Sequence, residues 1–396
     1  MSPEALPLRL LVIAANYPSA IQPACGAFVR SFVHALADAG AEAEVVHPIS
    51  LLSRLRGPYP AGGIDATPGG RAIPVHRPLY ASFSARDLGF TNTARWSQLG
   101  FERGVARALK RLRSVPAVAY GHFLYFSGRA AVRIGEQRGI PSFVAVGEGT
   151  FWTAERMGWH RARRDFRSAT GLLAVSTVLK EKLIAELGLP AEKIGVFPNG
   201  VDLGRFAPRD RAQMREKHGL PPDRFVVAYV GHFLKDKGVG VLAEALEGMA
   251  GTGAVFVGTG PHVPEASNVL FRGVLPHEQI PEMLSAADVF VMPSFVEGSC
   301  NAMIEAMACG LPIIASEGRF HDDLLDESCA LRVDTTRAAA LREAVARLRD
   351  DPARRGRMAQ AARARARAFD IHVRARRVLG WMEERIARSK EEGGGA

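Results

Sequence analysis

The stretch FVEGSCNAMIEAMACGLPIIAS, residues 295–316, contains residues that indicate where its helix and its strand begin and end. The apolar, β-branched run DVFVMPS before it, residues 288–294, predicts a buried strand, and residues from about Ser299 to Ala308 predict a helix. Gly310 fits a left-handed C-terminal cap, and Pro312 follows where the helix cannot continue. The segment therefore predicts a strand, a loop, a helix and a second strand, PIIAS.

Two carboxylates in this stretch are candidates for ligand binding. In a parallel α/β sheet such a loop lies at the carboxyl edge, and the next helix directs its unpaired N–H groups to a site that suits a phosphate. Glu305, in the second helical turn, would point the same way and could accept two hydrogen bonds from a vicinal diol such as that of ribose. Taken singly, Glu305 could equally be a solvated helix residue, and Glu297 an ordinary loop carboxylate.

The chain length and the spacing of the cysteines limit the class of protein. A chain of 396 residues suits two domains of about 200 residues each. Its four cysteines, Cys25, Cys300, Cys309 and Cys329, form no C-x-x-C pair, so they predict neither a disulfide framework nor a zinc site, and a reducing cytoplasm is expected. No signal peptide and no run of about 18 apolar residues is present, so we expect a soluble or peripheral protein.

Basic residues are concentrated in two stretches. The formal charge is +10; residues 353–390 hold 12 Lys and Arg against 3 Asp and Glu, and residues 95–113 hold six against one. In the stretch 95–113, which comes first along the chain, Phe101 and Val105 lie at helical spacing opposite Arg103. Such faces could lie on anionic lipid, or could be the solvated side of helices packed on their own sheet. They lack interleaved aromatic residues, which argues against nucleic-acid binding.

Strands and helices alternate in two runs, and each run predicts a parallel sheet covered on both faces. The first run extends from LRLLVIAA (8–15) to KIGVFPNG (193–200), and the second begins at FVVAYVG (225–231). The polar, proline-bearing connection between the runs predicts a hinge between two domains that face each other across a cleft.

The sequence lacks two motifs that are common in nucleotide-binding proteins, and each absence argues against one way of binding a nucleotide. No G-x-G-x-x-G occurs in the first βα turn, where NYPSAIQPACGAF (16–28) stands, and this argues against a nicotinamide or flavin dehydrogenase. The chain also contains no D-x-D, the kind of paired carboxylate that usually holds a nucleotide diphosphate through a metal. We therefore expect basic side chains and helix amides to neutralise any bound diphosphate, without a metal.

Several motifs, in this order, resemble the GT-B glycosyltransferases of family 4, which are retaining enzymes that use nucleotide sugars. The motifs are NYP…GAFVRSFVHALADAG, YGHF (120–123), PNGVD (198–202), GHFLKDKG (231–238) and the E-x7-E pattern of EGSCNAMIE (297–305). The resemblance covers nearly the whole chain and implies an α/β fold of two Rossmann-like, doubly wound parallel-sheet domains. It implies domains at residues 1–202 and 203–369, and a C-terminal helix and tail, 370–396, that crosses back to the first domain.

The resemblance also implies roles for individual residues. Glu297 and His122 would contact the transferred sugar, and Lys237 would stabilise the charge that develops on the leaving diphosphate. These three are the predicted catalytic residues, and transfer would proceed on one face of the sugar without a protein nucleophile. The remaining implied donor-binding residues lie near the phosphates, the ribose or the base: Gly26, His232, Arg272, Gly298, Ser299, Cys300, Asn301 and Glu305.

Two positions depart from the family's pattern. His232 stands where the family commonly has Arg, and since a histidine offers at most one donor toward a given oxygen, the phosphate clamp is predicted to be weaker or pH-sensitive. Glu148 stands in VAVGEGTFW (144–152), where many members have a His-Gly-Ser-Asp-like turn, and we expect it to face the acceptor. The Pro-, Gly- and Arg-rich region 49–96 is also expected to shape acceptor choice.

The resemblance therefore predicts an enzyme that moves a sugar from a UDP- or GDP-sugar to a cell-surface glycan, glycolipid or exopolysaccharide. We expect no obligatory cofactor, no nucleic-acid partner, and a cytoplasmic location with the anionic inner membrane face as a partner surface. Because one fold can host several activities, two alternatives stay open. They are a nucleotide-sugar epimerase and a catalytically weak nucleotide-sugar-binding subunit, the second suggested by His232.

Overall fold

The computed structural model describes residues 7–23, 25–55, 57, 59–83 and 92–393. The chain forms two compact units, which we call unit 1 (Met1–Phe197 with His372–Ala396) and unit 2 (Pro198–Ile371). Each unit is a sheet covered by helices.

Unit 1 contains ten strands and eight α-helices among the described residues. The strands are β1 (Arg9–Ala14), β2 (Glu42–Val46), β3 (Ile49–Ser50), β4 (Gly62–Ala66), β5 (Ala72–His76), β6 (Leu79–Tyr80), β7 (Val118–His122), β8 (Ser142–Val146), β9 (Gly171–Ala174) and β10 (Ile194–Val196). The helices are α1 (Ala27–Asp38), α2 (Leu51–Arg54), α3 (Thr93–Ala108), α4 (Arg129–Arg138), α5 (Trp152–Met157), α6 (Trp159–Phe166), α7 (Thr177–Leu187) and, at the end of the chain, α14 (Ile371–Gly393).

Unit 2 contains six strands and six α-helices among the described residues. The strands are β11 (Phe225–Val230), β12 (Thr252–Val257), β13 (Val269–Gly273), β14 (Val289–Met292), β15 (Ile313–Ser316) and β16 (Ala330–Val333). The helices are α8 (Arg211–Lys217), α9 (Val239–Leu246), α10 (Ile280–Ala286), α11 (Asn301–Ala308), α12 (Ala338–Asp350) and α13 (Pro352–Ala366).

The two main sheets share one strand order around their first strands. The sheet of unit 2 is parallel throughout, in the order β13-β12-β11-β14-β15-β16, which is the doubly wound order 3-2-1-4-5-6. In unit 1 the order β10-β9-β8-β7-β1-β2-β5-β4 contains the same pattern around β1. The strand order therefore reverses between β11 and β14 in unit 2, and between β1 and β7 in unit 1. Ligands of such sheets bind at these switch points, beyond the carboxyl ends of the strands. The predicted α/β fold is confirmed.

One strand departs from the predicted parallel pairing. β4 runs antiparallel to β5, with Gly62 opposite His76 and Ala66 opposite Ala72. The short connection between them is closed by a hydrogen bond from Thr67 N to Arg71 O (2.9 Å), and a turn of this length can join only antiparallel neighbours. This hairpin lies in the region 49–96, whose weak periodicity predicted no element.

The quoted stretch folds largely as predicted. β14 precedes it, and the helix begins at Asn301 rather than near Ser299. Gly310 has φ 78°, as a left-handed cap requires, and β15 follows. Glu305 lies in the second turn of α11, as the prediction placed it.

The first basic stretch forms an amphipathic helix packed on its own unit. In α3 the side chains of Phe101 and Val105 are buried, whereas Arg103 and Arg107 are exposed. Packing of the apolar face of α3 on unit 1 thus explains the alternation of apolar and basic residues in this stretch. Contact with lipid stays a prediction.

The second basic stretch, residues 353–390, is divided between the two units, because it covers α13 of unit 2 and most of α14 in unit 1. Two of its arginines, Arg374 and Arg385, are buried. Trp381 of α14 packs against Phe143 and Phe197, with ring centres 5.7 and 5.5 Å apart. Only part of this stretch is therefore available to a partner. No helix within the described ranges is long and apolar enough to cross a bilayer.

Candidate active site

The loops that follow β11 and β14 interlock at the switch point of unit 2. Phe295 N in the second loop donates a hydrogen bond to Asp236 O in the first (2.8 Å). Gly238 has φ 66°, and a Cβ atom there would lie 2.4 Å from Pro293 O, so only glycine fits. This close approach brings the GHFLKDKG turn against the loop that carries Glu297.

Lys237 and Glu297 form an ion pair at this point. The distance from Lys237 Nζ to Glu297 Oε1 is 2.8 Å, and Nζ also donates to Val296 O (3.2 Å). Both side chains are mostly buried, at 22% and 13% exposure, so water screens the pair less than it screens a surface pair. The ammonium lies at the carboxyl edge of the sheet, where a phosphate would be neutralised, and the carboxylate is held in one orientation.

The start of α11 lies directly after this pair. The first N–H groups of a helix have no partner inside the helix, and those contributed by Gly298–Asn301 are the predicted anion ligands. Asn199 braces the segment: its backbone N donates to Ser299 Oγ (3.2 Å) and its side-chain amide donates to Ser299 O (3.1 Å). Burial and the nearby Glu297 charge raise the pKa of the Cys300 thiol, so Cys300 is not a nucleophile here.

Glu305 has a partner that the sequence did not indicate. Its Oε1 lies 3.4 Å from Nε2 of His277, which is in the turn before α10. The Glu305 side chain is 15% exposed and that of His277 is 42% exposed. The carboxylate oxygens keep further lone pairs for a diol.

His232 and Arg272 stand apart from this ion pair. His232 is exposed, and its backbone carbonyl accepts a hydrogen bond from Tyr229 OH (2.8 Å). Arg272, which the resemblance places near the base, lies within β13, and its Nη1 donates to Pro264 O (2.9 Å). In the described part of the chain, no hydrogen bond joins either residue to Lys237 or Glu297.

His122 lies at the switch point of unit 1. It is the last residue of β7 and pairs in register with Ala14, the last residue of β1. Its ring is buried, and Nδ1 lies 3.3 Å from Tyr120 OH. Burial, together with the charge of Arg374, lowers the pKa of His122 to about 3, so the imidazole is neutral at physiological pH. It can then exchange hydrogen bonds with a sugar but cannot stabilise an anion as a cation would.

Gly26 holds the loop between β1 and α1 close to the sheet. It has φ 70°, and a Cβ atom there would lie 2.4 Å from Asn16 O. A side chain at this position is therefore excluded, and the approach of this backbone to the donor phosphates, which the resemblance implies, stays a prediction.

Glu148 follows β8, and both of its carboxylate oxygens are anchored to the backbone. Oε1 accepts a hydrogen bond from Leu124 N (2.5 Å) and Oε2 accepts one from Gly147 N (2.9 Å). Burial outweighs the hydrogen bonds that the carboxyl group accepts from the backbone of Leu124, Gly147 and Glu148 itself, and raises the pKa of Glu148 to about 7. The side chain lines a cavity of about 410 Å³ in unit 1, together with Asn16 and Phe123.

Models of two protein families match the chain. The model described as "Glycosyl transferase 4-like domain" matches residues 24–200, and "Glycosyl transferases group 1" matches residues 210–365. A GDP-mannose-dependent alpha-(1-6)-phosphatidylinositol monomannoside mannosyltransferase of Mycolicibacterium smegmatis is 31% identical over 291 residues, which cover 66% of this chain and 75% of that protein. The chain belongs to the group 1 glycosyl transferases.

This glycosyltransferase is also similar to the putative teichuronic acid biosynthesis glycosyltransferase TuaC of Bacillus subtilis. The two are 29% identical over 360 residues, which cover 86% of this chain and 89% of TuaC. Among solved structures, Anabaena HepE in complex with UDP superposes with a TM-score of 0.72 at 16% identity, over 95% of this chain and all of HepE. The predicted GT-B fold and the assignment as a glycosyltransferase are confirmed, whereas the family 4 assignment and retention stay predictions.

Several residues of the site in this glycosyltransferase were not among the predicted ones. Asn199 belongs to the PNGVD motif, so its neighbourhood was indicated but its contact with Ser299 was not. Tyr120 lies in the YGHF motif, two residues before His122, and the period of a strand places both on one face. His277 and Arg374 carry no sequence signal, since one lies in an ordinary turn and the other among many arginines.

Proposed function

We propose that this glycosyltransferase moves a sugar from a nucleotide diphosphate sugar to a glycan acceptor, with retention of anomeric configuration. The observation that carries the proposal is the Lys237–Glu297 ion pair, which lies at the switch point of unit 2 and directly before α11. A cation, a carboxylate and helix amides at one sheet edge suit a diphosphate attached to a sugar.

In this proposal the charge on the leaving diphosphate is stabilised where it develops. The Lys237 ammonium and the amides of Gly298–Asn301 face the phosphates, and this interaction strengthens as the glycosidic bond breaks. Glu297, oriented by Lys237, accepts hydrogen bonds from hydroxyls of the transferred sugar. Glu305 accepts those of the ribose, in exchange for its contact with His277.

The proposal includes no metal and no cofactor. Lys237 and the helix amides supply the positive electrostatic field that a divalent cation would otherwise provide. Transfer activity that persists undiminished in excess EDTA is the expected result. Activity that disappears with EDTA and returns with Mg²⁺ or Mn²⁺ would overturn this part.

The first experiment is calorimetric titration of the protein with UDP, GDP and ADP, without metal. Both UDP and GDP are candidates, because HepE was solved with UDP and the mycobacterial relative is named as GDP-mannose-dependent. We expect one nucleotide to bind the wild type and to bind Glu305→Ala more weakly, while Glu244→Ala, on the exposed face of α9, behaves as wild type. If no nucleotide binds, the donor assignment fails.

Retention is tested on the product. The proposal has no protein nucleophile, and the leaving phosphate and the incoming hydroxyl share one face of the sugar. Proton NMR of the first product formed from an α-linked sugar nucleotide should show the α anomer. A β-linked product would contradict the mechanism while leaving the donor site intact.

The acceptor is proposed to be a cell-surface polysaccharide or glycolipid at the cytoplasmic face of the membrane. The name of TuaC refers to teichuronic acid biosynthesis, and α3 of this chain presents exposed Arg103 and Arg107 that could meet anionic lipid. We expect salt-sensitive co-sedimentation with phosphatidylglycerol vesicles. Absence of binding at low salt would remove the membrane from the proposal.

A further inference from the structure

A second cavity of unit 1 lies between the loop after β1, helix α1 and the β4–β5 hairpin. Its volume is about 260 Å³, several times the space of roughly 30 Å³ that one water molecule occupies in the liquid. It has no lining residue in common with the cavity beside Glu148. The charged residues of its lining are Arg30, Asp65 and Arg77. It is therefore a separate, charged site that the proposed transfer does not use.

Arg77 brings a half-buried positive charge to this cavity. Its Nη2 donates a hydrogen bond to Pro18 O (3.0 Å), whereas its Nε is buried and has no hydrogen-bond partner in the described part of the chain. Burial lowers the pKa of Arg77, yet a guanidinium stays protonated in proteins. A desolvated charge with an unused N–H is costly, and an anion in the cavity would offset that cost.

The carboxylate of Asp65 does not supply that anion, because other donors already occupy it. Arg30 donates from Nε to Oδ2 (2.8 Å) and from Nη2 to Oδ1 (2.6 Å), and Tyr17 OH donates to Oδ2 (2.8 Å). His34 Nε2 lies 2.9 Å from the same oxygen. Although burial opposes it, these hydrogen bonds hold the pKa of Asp65 well below its usual range. Two guanidinium groups against one carboxylate leave the lining with a net positive charge.

Arg30 and Ser19 add donors from two further segments. The contacts with Asp65 fix the Arg30 side chain through Nε and Nη2, and they do not use Nη1. Ser19 Oγ accepts a hydrogen bond from Gln22 N (3.1 Å), so its O–H proton is not used in that contact. Together with Arg77, these donors come from the loop, from α1 and from the end of the hairpin. Such an arrangement suits a tetrahedral anion, whose oxygens point in several directions.

Helix α1 separates this cavity from His122. The rings of Phe28 and His122 lie 5.5 Å apart, centre to centre, so this face of α1 is turned toward the switch point of unit 1. Arg30 follows two residues later, which is about 200° around a helix, and contacts the hairpin instead. A ligand bound beside Arg77 therefore lies on another face of α1 than the histidine that is expected to contact the transferred sugar.

We propose that this cavity binds a phosphate group, with Arg77 as its main partner and with Arg30 and Ser19 as further donors. Hydrogen bonds between a guanidinium and a phosphate are charge-assisted and often bidentate, so they are stronger than those between neutral groups. The phosphate is carried by a small soluble molecule or by a lipid headgroup, since both present the same anion. This site is independent of the proposed function, because no residue of its lining belongs to the proposed donor site.

The charges of the lining disfavour other occupants. A cation would be repelled by the two guanidinium groups, and a neutral sugar would leave the charge of Arg77 unpaired. A carboxylate carries one negative charge and two oxygens in one plane, whereas a phosphate ester carries a charge of about −1.5 to −2 at pH 7 and three acceptor oxygens. Phosphate is therefore expected to bind more tightly than carboxylate.

The test is calorimetric titration of the full chain, without nucleotide, with inorganic phosphate and with glycerol 3-phosphate. Acetate is the carboxylate control and glycerol is the neutral one. Arg77→Gln removes the charge, and its matched control is Arg71→Gln, in the exposed connection of the same hairpin and outside the lining. Lys237→Ala removes the cation of the proposed donor site and so separates the two places where phosphate can bind.

A second pair of variants keeps the test decisive if Arg77→Gln does not fold. Ile64 lines the cavity but is 61% exposed, so a polar side chain there leaves the core intact. Ile64→Glu places a negative charge beside the phosphate and should weaken its binding. Ile64→Gln is the neutral control for that change.

We expect both phosphates to bind the wild type, and this binding to persist in Arg71→Gln, Ile64→Gln and Lys237→Ala. Arg77→Gln and Ile64→Glu should bind them about tenfold or more weakly, and acetate should bind the wild type more weakly than phosphate does. Equal phosphate affinity in Ile64→Glu and Ile64→Gln, loss of binding in Lys237→Ala alone, or acetate binding as tight as that of phosphate would overturn the proposal.

A vesicle assay distinguishes a soluble phosphate from a lipid headgroup. Co-sedimentation with phosphatidylcholine vesicles that contain phosphatidic acid is compared between Arg77→Gln and Arg71→Gln. Loss of glycerol 3-phosphate binding alone in Arg77→Gln assigns a soluble ligand, loss of sedimentation alone assigns a lipid headgroup, and loss of both supports the site for either source. If the two variants behave alike in both assays, the proposal falls. Neither assay measures sugar transfer, so failure of the proposed function would leave the result unchanged.

Discussion

At the switch point of unit 2, Lys237 and Glu297 form an ion pair beside the start of α11, whereas at the switch point of unit 1 His122 is buried and neutral. Both points arise from the same strand order, so the backbone topology does not account for the difference. In unit 2 the interlocked loops bring opposite charges within 2.8 Å of each other. In unit 1, Phe28 and Phe123 enclose the imidazole and exclude the water that would stabilise its charge.

One strand order can therefore support sites for two kinds of ligand. A site with an ion pair and helix amides suits an anion, whose charge is met by fixed partners. A site with a neutral imidazole, aromatic rings and a carboxylate anchored by amides suits a neutral, hydroxyl-rich ligand.

The largest expected effect is at the switch point of unit 2, where the Lys237–Glu297 ion pair lies. Lys237→Ala should lower kcat by about 10²–10³-fold, the usual loss when one group that stabilises a developing anion is removed. Lys235→Ala is the matched control, since Lys235 lies in the same turn and is exposed. Steady-state kinetics of sugar transfer would decide, and equal rates in the two variants would remove Lys237 from the mechanism.

A smaller loss, of nucleotide affinity, is expected when the proposed ribose contact is removed. Glu305→Ala should raise the nucleotide Kd by about 10–100-fold, because hydrogen bonds to a charged group contribute about 1.5–3 kcal/mol. His277→Ala sharpens the test, since it frees the Glu305 carboxylate without removing it. Calorimetry should show unchanged or tighter binding for His277→Ala. A similar loss in both variants would indicate a structural role for the pair.

In unit 1, the KM for the acceptor should depend on pH through Glu148. A carboxyl group with a pKa of about 7 is ionised above that pH and protonated below it, so Glu148 loses one acceptor oxygen as the pH falls through about 7. The KM for the acceptor should then rise on acidification, while the nucleotide Kd should not change with this group. Glu148→Gln should have a KM that is high and flat over the same range. A pH-dependent KM that persists in Glu148→Gln would assign the titration to another group.

The smallest effect is expected at Tyr120. Its hydroxyl lies 3.3 Å from His122 Nδ1 and orients the imidazole ring. Tyr120→Phe should lower kcat about 2–10-fold, which corresponds to one hydrogen bond between neutral groups. Tyr59→Phe, at another buried tyrosine of unit 1, serves as the control. Because the pKa of His122 is about 3, the kcat profile should show no imidazole inflection between about pH 5 and 8 in either protein.

Local patterns predicted most of the scaffold. The apolar runs of β1, β11 and β14 are buried on both faces of their sheets, and this is why each appears as a continuous hydrophobic run. The hairpin of β4 and β5 was missed because β4 (GGIDA) contains two glycines and is largely exposed, so it carries no alternation. Arg374 was taken as part of a basic surface, yet it is buried and stacks over Phe32 at 4.0 Å.

The sequence by itself determined the two α/β units, the strand–loop–helix that carries Glu297 and Glu305, and the family, because these depend on local spacing and ordered motifs. The tertiary structure alone decided that Lys237 meets Glu297, that His277 meets Glu305 and that His122 is neutral. Ion pairs and pKa values depend on distances between residues far apart in the chain and on exclusion of water, and neither is encoded in a short motif. The cavity around Glu148 belongs to the same class, because its walls come from distant segments that meet only in the fold.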